Sequence, residues 1–342
     1  MKSVHAKAPL RLGLAGGGTD VSPYSDIYGG LVLNATISLA TNVHITEYNG
    51  TQVRFEASDF NVSELLPISS HYDLEGDLVL HRAVYNRIIK DFNNSQPLSI
   101  NVISYSDAPP GSGVGSSSAL VVALVQAYSE YLKLPLGEYD VAKLAYEIER
   151  VDCLMAGGKQ DQYAAAFGGV NFMEFHDNNN VIVNPLRVKG DILLELESRL
   201  LLYHTGRSRE SAKIINEQIA STKENTKALD AMHEIRAIAI KMKEQLLKGD
   251  IDGFIEVLGQ SWIAKKNAAA GISNSHIDNI ANSAMAAGAS ALKISGAGGG
   301  GFMMIAVSPA NRLNVMRALS IYEGSFFSFK FVEEGVKSWT IA

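Results

Sequence analysis

A glycine- and serine-rich segment that runs directly into a helix is the feature that most restricts the fold of this chain. Residues 107–119 carry three glycines and end in three serines and an alanine, and the apolar positions of residues 120–128 follow at helical spacing. Glycine lets the backbone bend and approach a ligand closely, and the first turn of a helix offers unpaired N–H groups at the positive end of its dipole. The segment therefore predicts an anion site, most naturally for nucleotide phosphates, or else a serine N-cap after an ordinary turn.

A second glycine-rich segment lies between two apolar runs, residues 291–295 and 302–307. Gly296, Gly298 and Gly301 formally match the dinucleotide fingerprint, but that fingerprint requires a helix after the loop, and residues 302–307 are typical of a strand. A nicotinamide oxidoreductase is therefore excluded. Five glycines among the six residues 296–301 exceed what a tight hairpin needs, which favours a backbone that lies beside a ligand.

A third segment, residues 8–20, places a charge in an apolar strand and an aspartate after three glycines. Arg11 would be costly there without a partner. A surface salt bridge for Arg11 and a turn-capping role for Asp20 are the simple alternatives to a functional site.

Length and composition set the broad class. The chain has 342 residues, more than one hydrophobic core usually spans, so two domains are expected, with a boundary near residue 190 (1–190 and 191–342). A formal net charge of −6 argues against a nucleic-acid partner, since such binders need a basic surface. The single cysteine, Cys153, and the lack of a long apolar stretch predict a cytoplasmic protein with no membrane partner.

Periodic patterns predict several elements. Alternation over residues 42–47 and 53–55, separated by Asn49-Gly50, predicts a hairpin with a type I′ turn. Further strands are predicted at residues 98–105, 170–175, 291–295 and 302–307, and helices at residues 120–128, 141–148, 229–246, 254–266 and 277–287.

The three glycine-rich segments, in this order and spacing, resemble the three motifs of the GHMP kinases, and the similarity extends over about residues 6–305. Residues 14–20 followed by Pro23-Tyr24, residues 203–209, and Trp262 with Lys265-Lys266 are similar to the D-glycero-D-manno-heptose 7-phosphate kinases and the L-fucokinases. The resemblance implies an α+β fold, with an N-terminal ATP-binding domain like the second domain of ribosomal protein S5 and a ferredoxin-like C-terminal domain. Gly17-Gly18 replaces the Glu-His pair of galactokinases, which argues against galactose.

The resemblance also implies roles for individual residues. The nucleotide-binding loop would comprise Pro110, Gly111, Ser112, Gly113, Val114, Gly115, Ser116, Ser117 and Ser118. The substrate-binding residues would be Gly17, Gly18, Thr19, Asp20, Arg209 and Gly298. Ser118 and Glu149 would bind Mg²⁺, although without the family Glu149 is more simply an exposed charge. Asp161 would face the acceptor hydroxyl beside Arg11, as a base or only as an orienting group.

These residues imply an ATP- and Mg²⁺-dependent sugar kinase whose partner is a small sugar phosphate. It would phosphorylate the anomeric hydroxyl of a heptose 7-phosphate and give the 1,7-bisphosphate for the synthesis of nucleotide-activated heptose. The cluster Arg207, Arg209 and Lys213 would hold the substrate phosphate, or would be a solvated helix start. The alternatives are an L-fucokinase, another GHMP small-molecule kinase, and a non-catalytic sugar and ATP sensor.

Overall fold

The structure is a computed structural model that describes residues 2–207 and 211–341. The strands are β1 (Ser3–Ala15), β2 (Gly30–Glu47), β3 (Gln52–Ala57), β4 (Val62–Pro67), β5 (Ile100–Ser106), β6 (Val170–Phe175), β7 (Val181–Pro185), β8 (Leu200–His204), β9 (Ala289–Ile294), β10 (Phe302–Val307), β11 (Ser325–Phe327) and β12 (Lys337–Ile341). The helices are α1 (Tyr24–Tyr28), α2 (Val79–Phe92), α3 (Ser116–Leu132), α4 (Glu138–Glu147), α5 (Gln160–Phe167), α6 (Gly190–Arg199), α7 (Ser211–Glu224), α8 (Thr226–Lys248), α9 (Ile251–Ala268), α10 (Ser275–Ala286) and α11 (Arg312–Leu319).

The first sheet is organised around the long strand β2. Its first half pairs with β6 and its second half with β5, while β1 pairs with it along most of its length. The strand order is β12-β1-β2-β5-β3-β4. Strands β6 and β7 lie off this path, since β6 pairs with β2 and β7 pairs with β6. Helix α3 packs against β1 and β2, and its apolar residues are almost completely buried, so the helix that follows the first glycine-rich segment forms the centre of this half.

The predicted hairpin at Asn49-Gly50 is wrong. Strands β2 and β3 do not pair with each other, because β5 lies between them, antiparallel to β2 and parallel to β3. The hydroxyl oxygen of Ser99, just before β5, lies within 3.0 Å of the carbonyl oxygens of Tyr48, Gly50 and Gln52 and can donate to one of them, so the connection wraps around this residue. A type I′ turn needs positive φ at both central residues, and of the pair only Gly50 has it.

The second sheet has the antiparallel order β11-β8-β10-β9. When the four strands are numbered by their order in the sequence, their order in the sheet is 4-1-3-2. Helices connect the first strand to the second and the third strand to the fourth, which is the ferredoxin-like topology that the resemblance implies. All six residues of β10 are buried. The remaining predicted strands and helices are present, with bounds that differ by a few residues, and the α+β prediction is confirmed.

The last strand, β12, joins the first sheet by pairing with residues 3–7 of β1. The first sheet therefore contains residues from both sides of the predicted boundary at residue 190, and that boundary stays a prediction. Within the described ranges 2–207 and 211–341, every helix is too short or too polar to cross a membrane.

Candidate active site

The three glycine-rich segments meet around one cavity of about 550 Å³. The first segment contributes residues from Gly111 to Ser118, the third contributes Arg11, Gly18 and Asp20, and the second contributes Gly296 and Ala297. Helices α7 and α9 close the cavity from the other half of the molecule, through Ile215, Gln218 and Lys265. Segments that are far apart in the sequence thus form a single site.

The first glycine-rich loop packs directly against the second. The N–H of Phe302 donates to the carbonyl oxygen of Ser112 at 2.8 Å. Gly113 has a φ of 76°, and a Cβ built on it would lie 2.6 Å from the carbonyl oxygen of Ser295, so no other residue type fits there. The shape of the loop is therefore set by backbone contacts from the other half of the chain.

Helix α3 begins without a side-chain cap. Its N-cap is Gly115, and Ser116, Ser117 and Ser118 lie in its first turn, where all three line the cavity. The alternative of a serine N-cap is therefore wrong. The N–H groups of this first turn are available to an anion, in the positive end of the helix dipole.

Ser118 and Glu149 are in direct contact. The hydroxyl of Ser118 donates to Oε2 of Glu149 at 2.7 Å, and the hydroxyl of Ser117 donates to Oε1 at 2.6 Å. Glu149 lies in a π-helical turn (Ile148–Asp152) after α4 and is only 2% exposed, so the alternative of a solvated charge is wrong. Gln162 and Arg150 complete its contacts, at 2.6 and 3.2 Å.

This pair fits Mg²⁺. A hydroxyl and a carboxylate, both oxygen ligands, face the cavity side by side, and Mg²⁺ takes few protein ligands when phosphate oxygens and water supply the others. In the part of the chain that the structure describes, no group of three or more His, Cys, Asp or Glu side chains could hold a metal by itself. A metal here would therefore depend on the ligand's own oxygens.

Arg11 connects all parts of the site. Its Nε and Nη2 contact Oδ1 of Asp161 at 2.7 and 2.6 Å, and its Nη1 donates to the carbonyl oxygen of Gly113 at 2.6 Å. Arg11 is 4% exposed, whereas one fifth of the Asp161 side chain is exposed, so the alternative of a surface salt bridge is wrong. The ion pair presents the free side of the carboxylate to the cavity.

Asp20 caps the helix that carries Asp161. Its Oδ2 accepts the N–H groups of Lys159 and Gln160 at 2.9 and 3.0 Å, at the start of α5, and the side chain is 1% exposed. Gly158 lies so close to this carboxylate that a Cβ there would overlap it. The turn-capping role is also present, because Oδ1 accepts the N–H of Gly18 at 3.1 Å. The same carboxylate lines the cavity, and its role in substrate binding stays a prediction.

The other predicted substrate residues differ in position. Gly18 lines the cavity, and Gly17 lies beside Lys265. The hydroxyl of Thr19 is buried and hydrogen-bonded to backbone carbonyl oxygens, and Gly298 faces Ile272. Arg207 and Lys213 are exposed and are not among the described residues that line the cavity, while Arg209 lies outside the described residues.

Two cations of the cavity were not predicted. Arg150 donates to the carbonyl oxygen of Gly158 and contacts both Ser118 and Glu149, at 3.5 and 3.2 Å. Lys265 donates to the carbonyl oxygen of Gly296. The sequence carried a signal for Lys265, because it lies on the apolar stripe of α9 three residues after Trp262.

A second cavity of about 470 Å³ adjoins the first on the far side of the loop. Both cavities share Gly111, Ser116, Ser117 and Met155, and the second extends to a mostly apolar region that includes Phe60, Leu78 and Leu120. His81 lies at its base, where burial lowers the pKa of the imidazole to about 4 and the ring contacts the hydroxyl of Ser104 at 2.8 Å. A flat heterocycle attached to a phosphate chain would fit across this boundary.

Comparisons with known proteins agree with this arrangement. Residues 79–169 match the family described as GHMP kinases N terminal domain, and residues 242–323 match the one described as GHMP kinases C terminal. The chain is 48% identical, over the whole length of both proteins, to the D-glycero-alpha-D-manno-heptose 7-phosphate kinase of Campylobacter jejuni.

Solved structures give the same result. A D-glycero-D-manno-heptose 1-phosphate kinase from Bacteroides thetaiotaomicron superposes with a TM-score of 0.85 at 45% identity, covering 99% of each chain. A sugar kinase structure from Campylobacter jejuni superposes with a TM-score of 0.83 at 46% identity, covering 100% of this chain and 99% of the other. The likeness therefore extends over both halves of the chain.

Proposed function

The chain belongs to the GHMP kinases and is a sugar kinase, and from that premise we propose that it transfers the γ-phosphoryl group of ATP to the anomeric hydroxyl of a heptose 7-phosphate. The product would be the 1,7-bisphosphate, a precursor for the synthesis of nucleotide-activated heptose. One observation carries this proposal: the Ser118–Glu149 pair and the Arg11–Asp161 pair face the same cavity.

The loop of residues 110–118 would bind the phosphates of ATP. Its cavity-lining serines and the uncapped first turn of α3 supply hydroxyl and N–H donors, and the adjoining apolar cavity would take the adenine and ribose. Ser118 and Glu149 would hold Mg²⁺, which when bound neutralises charge on the phosphate oxygens. Arg150, beside this pair, would donate to the same phosphate oxygens.

Asp161 would face the hydroxyl that is phosphorylated. Phosphoryl transfer requires alignment of the acceptor oxygen and stabilisation of spreading charge, with little covalent help from the protein. The Arg11 guanidinium keeps Asp161 in one orientation, from which the carboxylate would accept the hydroxyl proton as a base or orient the hydroxyl through a hydrogen bond. Both roles need the same geometry, and kinetics separate them.

The acceptor is proposed from similarity and from charge. The Campylobacter jejuni relative is named a heptose 7-phosphate kinase, and the segment of residues 203–209 ends in Arg209, which we propose as a ligand of the substrate phosphate. L-Fucose, which has no phosphate, is the alternative acceptor. A non-catalytic sensor is disfavoured, because a sensor has no need for the paired Ser118–Glu149 and Arg11–Asp161 groups.

The test is an acceptor screen. ATP consumption would be measured with heptose 7-phosphate, unphosphorylated heptose, L-fucose, galactose, mevalonate and homoserine, and the product position would be read by phosphorus NMR. A bidentate arginine contact should favour the phosphorylated heptose by at least ~10²-fold in kcat/KM. A preference for L-fucose, or ATP turnover with none of these acceptors, would reject the proposed substrate. An unchanged preference in Arg209→Ala would reject only the assigned phosphate ligand.

A further inference from the structure

Lys265 is a buried lysine on a helix surface that is mostly apolar. It lies in the last turn of α9 and is 3% exposed, on the same buried stripe as Leu258, Trp262 and Ala268. Its neighbour Lys266 is exposed and lies over the Trp262 ring. Burial of an ammonium group is costly without compensation, so this position needs a physical reason.

Charged groups from four elements of the fold face Lys265. They are Arg11 of β1, Asp20 of the following turn, Asp161 of α5 and Lys293 of β9. The two carboxylates stabilise the ammonium, and the two cations oppose it. Lys293 donates to the carbonyl oxygen of Gly13 at 2.6 Å and is not among the described residues that line the cavity. Lys265 is thus the lysine that contacts the cavity between Asp20 and Asp161.

Lys265 also differs from the other cations of the cavity. Among the described residues that line it, Arg11 and Arg150 form ion pairs with Asp161 and Glu149. The hydrogen bond described for Lys265 goes to a neutral carbonyl oxygen, that of Gly296. An ammonium has three N–H donors, so this bond leaves donors for a ligand. A link to Gly296 alone would not require a charge.

The position of Nζ points to the acceptor. It would lie 3.9 Å from a Cβ built on Gly17, which belongs to the turn that leads to Asp20. The Ser118–Glu149 pair has Arg150 as its cation, whereas the charged groups beside Lys265 are Arg11, Asp20 and Asp161. Asp20 and Asp161 can accept hydrogen bonds from sugar hydroxyls, but neither carboxylate can donate one when ionised. Lys265 supplies a charged donor beside them.

We propose that Lys265 donates a hydrogen bond to an oxygen of the acceptor sugar, next to the hydroxyl that faces Asp161. This proposal rests on the proposed kinase function and adds a specificity-determining residue to it. A polyhydroxylated acceptor presents both donors and acceptors to Asp20, Asp161 and Lys265, whereas an acceptor with fewer oxygens leaves the buried ammonium unpaired. The buried charge of Lys265 therefore disfavours acceptors that have no oxygen at this position.

The protonation of Lys265 provides a separate readout. Burial, and then Arg11, lower the pKa of this lysine to about 8, against the effect of Asp20 and Asp161. The charge-assisted hydrogen bond requires the protonated form. Acceptor binding should therefore weaken as the pH rises through about 8, while the affinity for ATP should not follow the same curve.

The experiment compares Lys265→Met with Lys266→Met, which removes the adjacent exposed lysine from the same turn. Lys265→Met should lower acceptor kcat/KM by about 10- to 10²-fold, as expected for one charge-assisted hydrogen bond, with the KM for ATP unchanged. It should also abolish the alkaline decline of acceptor kcat/KM. Lys266→Met should retain wild-type values in both measurements. If Lys265→Met keeps an acceptor kcat/KM within about threefold of Lys266→Met, the proposal is wrong.

Two further measurements keep the test decisive. If circular dichroism shows that Lys265→Met does not fold, the pH profile of the wild type tests the proposal instead. An acceptor kcat/KM that is constant from about pH 7 to about pH 9.5 would contradict a protonated donor. A wild-type protein that phosphorylates none of the sugars would refute the proposed function itself. An active wild type with an unaffected Lys265→Met would refute only the role of Lys265.

Discussion

Gly113 and Ser295 lie so close together that a methyl group on the glycine would be 2.6 Å from the carbonyl oxygen of the serine. The contact joins the glycine-rich loop of the first half to that of the second, and Arg11 contacts both residues, at 2.6 and 3.4 Å. The nucleotide side of the site therefore depends on packing between loops that are far apart in the sequence.

Gly113→Ala should displace this loop and lower ATP affinity. The residue has a φ of 76°, so alanine is strained as well as crowded, and a cost of roughly 1–3 kcal/mol is expected. Gly190→Ala is the matched control, since a Cβ at Gly190 meets nothing within 4 Å. Nucleotide titration and thermal melts would be compared, and equal effects of both substitutions would contradict the loop contact.

Ser118→Ala and Ser117→Ala separate the proposed metal ligand from its neighbour. Both hydroxyls donate to Glu149, at 2.7 and 2.6 Å, but Ser118 is buried beside the carboxylate and Ser117 is exposed. Ser118→Ala should raise the Mg²⁺ concentration that gives half-maximal rate, as should Glu149→Gln, whereas Ser117→Ala should have a smaller effect. Excess EDTA should abolish turnover in the wild type, and full activity in EDTA would exclude a metal role.

Asp161→Asn should lower kcat by roughly 10²–10⁴ with little change in ATP affinity, the usual effect of losing a general base. A loss of less than tenfold would indicate an orienting role. Arg11→Met should be coupled to it, because the guanidinium contacts Oδ1 of Asp161 at 2.6 Å. The double variant should lose less than the two single losses combined, and strict additivity would show that the pair does not act as a unit.

Asp20→Ala should affect both stability and acceptor binding. The carboxylate accepts two N–H groups at the start of α5, so its loss should lower the free energy of unfolding by roughly 1–3 kcal/mol. If the variant still folds, we expect a raised acceptor KM while ATP binds normally. A denaturant titration with acceptor kinetics on the same sample would test both, and lost stability with an unchanged acceptor KM would limit Asp20 to its capping role.

The stability of the protein should rise with pH just above neutrality. Burial lowers the pKa of Lys265 to about 8 and that of Lys293 well below its usual range, so the unfolded chain binds more protons than the folded one between those pKa values and the ordinary lysine value. The free energy of unfolding should increase from about pH 8 to about pH 9.5, below the titration of unfolded tyrosines. Lys265→Met/Lys293→Met should flatten this rise, which urea titrations at each pH would measure.

Much of the site could be predicted from the sequence, because each motif carries its own chemistry. The serines before a helix, Arg11 in an apolar strand and Asp161 were assigned by resemblance, and the structure brings them to one cavity. Partners distant in sequence could not be predicted. Nothing near Asp20 indicates that it caps a helix 139 residues later, and nothing near Asn49-Gly50 indicates that β5 separates the two strands. Lys265 differs, since the apolar pattern predicts its helix but does not indicate that one lysine of the stripe is buried.

The pairing of β12 with β1 has a consequence for biosynthesis. Strand β1 carries Arg11, and its outer edge stays unpaired until β12, which is translated after all the other strands described here. The second sheet, β8 to β11, can form before β12 is translated. Until then the outer edge of residues 3–7 is unpaired and can pair with other chains. The cavity is complete only after synthesis of both halves, and a ribosome-bound fragment that ends between residues 297 and 337 would hold the described residues that line it beside an open sheet edge.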